Sequence, residues 1–177
     1  MVFGGSRGAE KINQTMIDVL KHFAGRTDIH LLHITGEKHY EEFMRSYKKI
    51  GLKGDNLAIQ PYAYEMPKFM GACDLVVCRA GAITLAEVTA MGLPAILIPS
   101  PYVTNNHQEY NAKVLEKNGA AVVLLEKDLT PSKMIELIHF FMKDRSKLSD
   151  MSLRSKELAK TNATDLIYEE LLELMKK

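Results

Sequence analysis

Short aliphatic runs alternate along this chain with longer stretches in which apolar residues recur every three or four positions. Met1 to Phe3, Ile29 to Thr35, Leu57 to Gln60, Leu75 to Cys78, Ala95 to Ile98 and Ala121 to Leu125 read as strands. Between them, Ala9 to Phe23, Lys38 to Ile50, Met66 to Ala72, Ile83 to Met91 and His107 to Asn118 read as helices. In the first helix Ile12, Met16, Val19, Leu20 and Phe23 share one face, which predicts packing against a sheet. Pro67 suits a first helical turn, and Gly25, Gly51, Gly92 and Gly119 stand where helices should stop. After the sixth strand only helical periodicity remains. A helix starts at Thr130 and Pro131 with Met134, Leu137, Ile138 and Phe141 as its buried stripe, and two more follow near Arg145 to Ala159 and Ala163 to Lys176. The alternation predicts an α/β fold: a Rossmann-like, six-stranded parallel sheet with helices on both faces, in a single domain over residues 1–177.

Charge removes one class of partner. Lys plus Arg number 23 against 22 Asp plus Glu, a net charge of +1 with no basic stripe, so nucleic acid bound through phosphate neutralisation is not expected. The longest apolar runs, Leu93 to Ile98 and Ala120 to Leu125, fall far short of the roughly 18 residues of a spanning helix. Cys73 and Cys78 lack the second ligand pair of a structural zinc site, and we expect packed thiols in a reducing, cytosolic setting. The histidines form no H-x3-H or H-E-x-x-H pattern, so neither a metal nor another cofactor is expected. Met1, Val2 and Phe3 run straight into glycines, which does not read as a secretory signal. They also make a short first strand where ~5 residues are usual, so we expect an upstream segment and a longer parent protein.

In an open parallel sheet the ligand site lies beyond the carboxyl ends of the strands, so the loops that follow strands carry the candidate chemistry. The first is Gly4 Gly5 Ser6 Arg7 Gly8 Ala9. Its glycines would let backbone N–H groups approach a diphosphate, and the following helix adds its positive end; the plainer alternative is a tight turn with Ser6 as helix cap. Its spacing matches neither G-x-G-x-x-G nor the P-loop. After the fourth strand, Ala80, Gly81 and Ala82 leave room for a ligand, and Glu87, about a turn into the next helix, could accept both hydroxyls of a ribose or simply complement the helix dipole. Arg79 reads as a phosphate or loop-ordering contact or a structural ion pair, and Thr84 as a ligand contact or a cap. The long loop after the fifth strand leads to His107, Gln108 and Asn111, whose polar groups suit sugar hydroxyls, while Asn105 or Asn106 could cap the helix there. The segment from Gln60 to Pro67, with Ala63 at its centre, could offer backbone to the edge of a planar base.

Four segments taken together carry a resemblance: GGSRGA at Gly4 to Ala9, DLVVCRAGAITLAE at Asp74 to Glu87, GLPAILIP at Gly92 to Pro99 and HQEYNA at His107 to Ala112. In order and spacing they resemble the C-terminal half of the MurG family of peptidoglycan glycosyltransferases, which convert lipid I to lipid II. The resemblance implies one half of a two-domain GT-B fold, with UDP-N-acetylglucosamine as donor. It implies that Gly5 and Ser6 hold the diphosphate, Ala63 meets the uracil, Glu87 binds the ribose and Gln108, with His107 beside it, contacts the donor sugar. Arg79, Gly81, Thr84 and Asn111 fall within the matching motifs. The acceptor lipid I, the catalytic base and contact with the inner face of the cytoplasmic membrane are implied for an N-terminal half, so this chain by itself is expected to be inactive. Two other readings share the fold: a donor-binding subunit that needs a separate membrane partner, and a UDP-sugar epimerase, for which no suitably placed carboxylate pair is present.

Overall fold

A computed structural model describes residues 1–52 and 54–176. The strands are β1 (Val2–Phe3), β2 (Leu31–Ile34), β3 (Leu57–Gln60), β4 (Val76–Cys78), β5 (Ala95–Leu97) and β6 (Ala121–Val123). The helices are α1 (Glu10–Phe23), α2 (Glu37–Ile50), α3 (Met66–Gly71), α4 (Ala82–Met91), α5 (His107–Lys117), α6 (Pro131–Lys143), α7 (Arg145–Glu157) and α8 (Ala163–Met175). Every strand pairs in parallel, in the order β3-β2-β1-β4-β5-β6. The order reverses direction between β1 and β4, which places a crevice at the carboxyl ends of those two central strands.

Alternation along the strands builds two cores. Val2, Leu31, Val77 and Ile96 face α1, α2, α6 and α7 through Ile12, Phe43, Met134 and Leu148. Phe3, Ile34, Val76, Cys78, Ala95 and Leu97 face α3, α4 and α5 through Met70, Leu85, Val88 and Leu115. The predicted stripe of α1 is wholly buried from Ile12 to Phe23. Several strands end one or two residues earlier than the pattern suggests, because the flanking residues bond across the sheet singly as the chains diverge. Thr35 still donates to Gln60 (3.0 Å), Ile98 to Cys78 (2.8 Å) and Leu124 to Leu97 (2.9 Å).

Thr130 is the N-cap of α6, its hydroxyl accepting from the Lys133 amide at 3.2 Å. Because α6 lays Met134, Ile138 and Phe141 into the core, fraying of that first turn is felt by the whole domain. Thr130→Ala is expected to cost about 1 kcal/mol, read as a lower urea midpoint at unchanged slope. In contrast, α8 buries none of its residues; Leu166, Ile167, Leu171 and Leu174 are all exposed. Among the described residues no helix is long and apolar enough to cross a membrane.

Candidate functional site

The loop after β1 is shaped by three glycines. Gly5 and Gly8 take positive φ (+84° and +74°), and the Gly8 amide closes a turn onto the Gly5 carbonyl at 3.0 Å. Gly8 is pressed so closely on the exit of β2 that a Cβ would lie 2.2 Å from the Thr35 carbonyl oxygen. Opposite, Gly36 faces Gly8 with the same lack of room, its own would-be Cβ 2.7 Å from the Gly8 Cα. The loop is thus wedged against the β2–α2 junction, with Gly5 left open on its outer side.

That open side borders a cavity of about 800 Å³ at the carboxyl edge of the sheet. Gly5, Ser6, Arg79, Gly81, Thr84 and Gln108 line it together, although they span more than half the chain. Three helices begin around it without a side-chain cap: α1 after Ala9, α4 after Gly81 and α5 after Asn106. Their first N–H groups lack partners within their own helices, and the positive helix ends converge on the space, an arrangement suited to an anion. Arg7 and Lys11 add positive charge on the wall, and among the described residues neither enters an ion pair.

The structure settles several local alternatives. Ser6 does not cap α1, whose N-cap is Ala9, and Thr84 lies in the first turn of α4 rather than at its cap, Gly81. Asn106 occupies the N-cap position of α5, but its side-chain amide donates to Glu109 at 2.7 Å and caps nothing. Arg79 forms an ion pair with Glu126, both side chains about nine-tenths buried, and donates from Nη1 to the carbonyls of Ile98 (3.1 Å) and Pro99 (3.2 Å). The Gln108 Oε1 accepts from the Ser100 amide at 2.9 Å, which fixes the amide orientation and leaves the Nε2 hydrogens as donors at the cavity wall.

The remaining predicted residues stand off the cavity wall. Glu87 is exposed on α4, one turn beyond Thr84 and so on the same stripe of the helix. His107 is exposed at the first position of α5, and Asn111 donates to the Ala80 carbonyl at 3.4 Å, joining α5 to the β4–α4 loop. Ala63 is buried between β3 and α3, and among the described residues no hydrogen bond engages its backbone. The cavity also takes in Lys11, Gln14, His39, Tyr102 and Glu126, none of them singled out from the sequence. Lys11 and Gln14 follow from the helical spacing of α1 once its N-terminus is placed at the site. Glu126 leaves no local signal, because its partner lies 47 positions away. Among the described residues no group of three or more His, Cys, Asp or Glu sits close enough to hold a metal ion.

Comparison with known proteins agrees with this architecture. Residues 1–167 match the glycosyltransferase family 28 C-terminal domain. A UDP-N-acetylglucosamine–N-acetylmuramyl-(pentapeptide) pyrophosphoryl-undecaprenol N-acetylglucosamine transferase of Acetivibrio thermocellus is 51% identical over 177 residues, 99% of this chain and 47% of that protein. The enzyme of the same name from Listeria monocytogenes is 46% identical over 176 residues, covering 99% of this chain and 48% of that one. The crystal structure of Acinetobacter baumannii MurG superposes with a TM-score of 0.82 at 31% identity, over 97% of this chain and 48% of that structure. This chain therefore spans about half the length of the curated relatives it matches. By sequence, and by a fold whose glycine loop and uncapped helices meet at one edge, the chain belongs to the glycosyltransferase family 28 C-terminal domain family.

Proposed function

We propose that this chain is the donor-binding half of a transferase that moves N-acetylglucosamine from its UDP carrier to the C4 hydroxyl of the muramyl sugar in lipid I, forming lipid II. The observation that carries the reading is the cavity where the β1–α1 glycine loop and the N-termini of α1, α4 and α5 meet. The diphosphate lies over Gly5 and Ser6 at the start of α1. Glu87 meets the ribose hydroxyls beside Gly81 and Thr84, and Ala63 offers its unpaired backbone to the uracil. Gln108 donates its amide hydrogens to the sugar, with His107 at the same helix start, while Asn111 holds the loop that Gly81 opens.

The reaction inverts the anomeric centre. The acceptor hydroxyl attacks the anomeric carbon, the bond to the diphosphate oxygen breaks, and negative charge grows on departing UDP. Aligned N–H groups and the α1 dipole are already aimed where that charge appears, so they stabilise the transition state more than the ground state and need no metal to do it. The general base, the lipid I site and contact with the cytoplasmic membrane face belong to the second half of the parent protein. The relatives' additional length supports that division, since they carry as much chain again.

Calorimetric titration of this chain with UDP-N-acetylglucosamine should give saturable binding, weakened about tenfold or more by Glu87→Ala, which removes a charge-assisted contact. A transfer assay with a lipid I analogue should give no turnover from the chain alone. Absence of binding, or wild-type affinity in the Glu87 variant, would overturn the assignment.

A further inference from the structure

We infer that Arg79 is a positioning residue whose task is to set the side-chain amide of Gln108, not to hold phosphate. The inference rests on the donor reading above for its ligand, but its geometry is independent of any ligand. Arg79 lines the cavity, where a free guanidinium would be an obvious partner for a diphosphate. Its charge is already met by Glu126, which also lines the cavity, and both side chains are nearly buried. Its Nη1 grips the carbonyls of Ile98 and Pro99, the last two residues before Ser100. The next amide in the chain, that of Ser100, is the one that holds Gln108 Oε1 at 2.9 Å.

A line of contacts therefore runs from Glu126 through Arg79 to the end of β5 and on to Gln108. It joins the turn after β6, the loop after β4 and the start of α5, and it adds to the bonds from Asn111 to Ala80 and from Val123 to Glu116 that also tie α5 to its neighbours. Lysine could not replace Arg79, because a single ammonium cannot hold two adjacent carbonyls and a carboxylate in one plane. By fixing Oε1 as the acceptor of a backbone amide, the line sets the amide plane and directs the two Nε2 hydrogens away from Ser100, where they match lone pairs on a sugar oxygen.

The test is titration of this chain with UDP-N-acetylglucosamine and with UDP, in wild type, Arg79→Gln, Gln108→Ala, the double variant and Glu126→Gln. Wild type should prefer the sugar nucleotide. Arg79→Gln should reduce that preference about tenfold, the size of one hydrogen bond, while binding of UDP itself changes little. In the Gln108→Ala background the Arg79 change should add nothing further to the preference. Equal losses for both compounds, or a full additional loss without Gln108, would mean that Arg79 touches the ligand and would overturn the inference. Glu126→Gln supplies a test of sign: removing a carboxylate beside a diphosphate should tighten binding electrostatically, whereas loss of positioning weakens binding of the sugar nucleotide. Tightening overturns the inference. Amide hydrogen exchange at Ser100, measured without ligand, should quicken in Arg79→Gln, and unchanged exchange is a second contrary result. If wild type takes neither compound, the donor reading fails while Ser100 exchange still decides the positioning role. If Arg79→Gln does not fold, Arg79→Lys keeps the charge without the fork and should behave as the glutamine variant is expected to.

Discussion

Gly8→Ala is expected to destabilise the protein by about 4 kcal/mol or more, an exceptional loss for one substitution, because overpacking and backbone strain add at this position. The residue sits at φ +74°, where a side chain alone costs roughly 1–2 kcal/mol. Lack of space costs more, since the added Cβ would stand 2.2 Å from the Thr35 carbonyl oxygen and 2.9 Å from a ring carbon of His39. The histidine ring can swing aside, but the carbonyl belongs to backbone at the end of β2. Relief requires parting the β1–α1 loop from the β2–α2 junction, which would also deform the floor of the cavity. Gly5→Ala is the matched control: its φ is +84°, yet nothing lies within 4 Å of its would-be Cβ, so only the conformational cost applies. Urea unfolding of the two variants separates strain from collision, and equal midpoints would contradict the collision argument.

Acidification should expose a second large effect, centred on His33. The ring is fully buried in β2, 4.9 Å from that of Phe43, and neither ring nitrogen has a hydrogen-bond partner. Burial lowers its pKa from 6.5 to about 4: loss of solvation of the charged ring outweighs the favourable influence of the Val2 backbone on the neighbouring strand, which makes no hydrogen bond of good geometry with either ring nitrogen. With the folded value depressed, the unfolded chain binds the extra proton first. Stability attributable to this residue is therefore complete above about pH 6.5 and is lost progressively as the pH falls toward 4, by about 3 kcal/mol in all. His33→Leu keeps an apolar side chain in the core and should remove that dependence. Melting temperatures from pH 7 to pH 4 should therefore converge or cross, with wild type falling more steeply. Asp28, held below the usual carboxylate range by Arg26, and Asp144, held down by Ser146, add an acid loss common to both proteins. Parallel profiles would show that His33 is solvated or paired in solution.

The gross architecture was legible from periodicity. Each of the six predicted strands and eight predicted helices has its counterpart among the described residues, because most of the strands are buried on two faces and most of the helices on one, which leaves clear spacings; α8, which buries nothing, keeps its helical periodicity without a core to face. The glycine loop and the cavity-lining Gly81, Thr84 and Gln108 were legible too, since ligand loops follow strands in this class of fold. The tie from Asn56 to the end of α1 was not: its amide bonds the carbonyls of Phe23 and Ile29 and accepts from Gly25, contacts that no local spacing announces. The same holds for Arg79, where the sequence admitted phosphate, ion pair or loop contact with equal ease.

By itself, then, the sequence determined the order and kind of the elements, the positions of the glycines that let backbone come close, and the family resemblance carried by four short segments. Only the tertiary structure decided that Glu126 neutralises Arg79, that Ser100 turns the Gln108 amide, and that Gly8 and Gly36 press two loops together. The physical reason is range. Helix and strand periodicity is written over a few neighbouring residues, whereas the charge balance and donor orientation of a site depend on side chains that the sheet brings together from distant positions, 47 residues apart for Arg79 and Glu126.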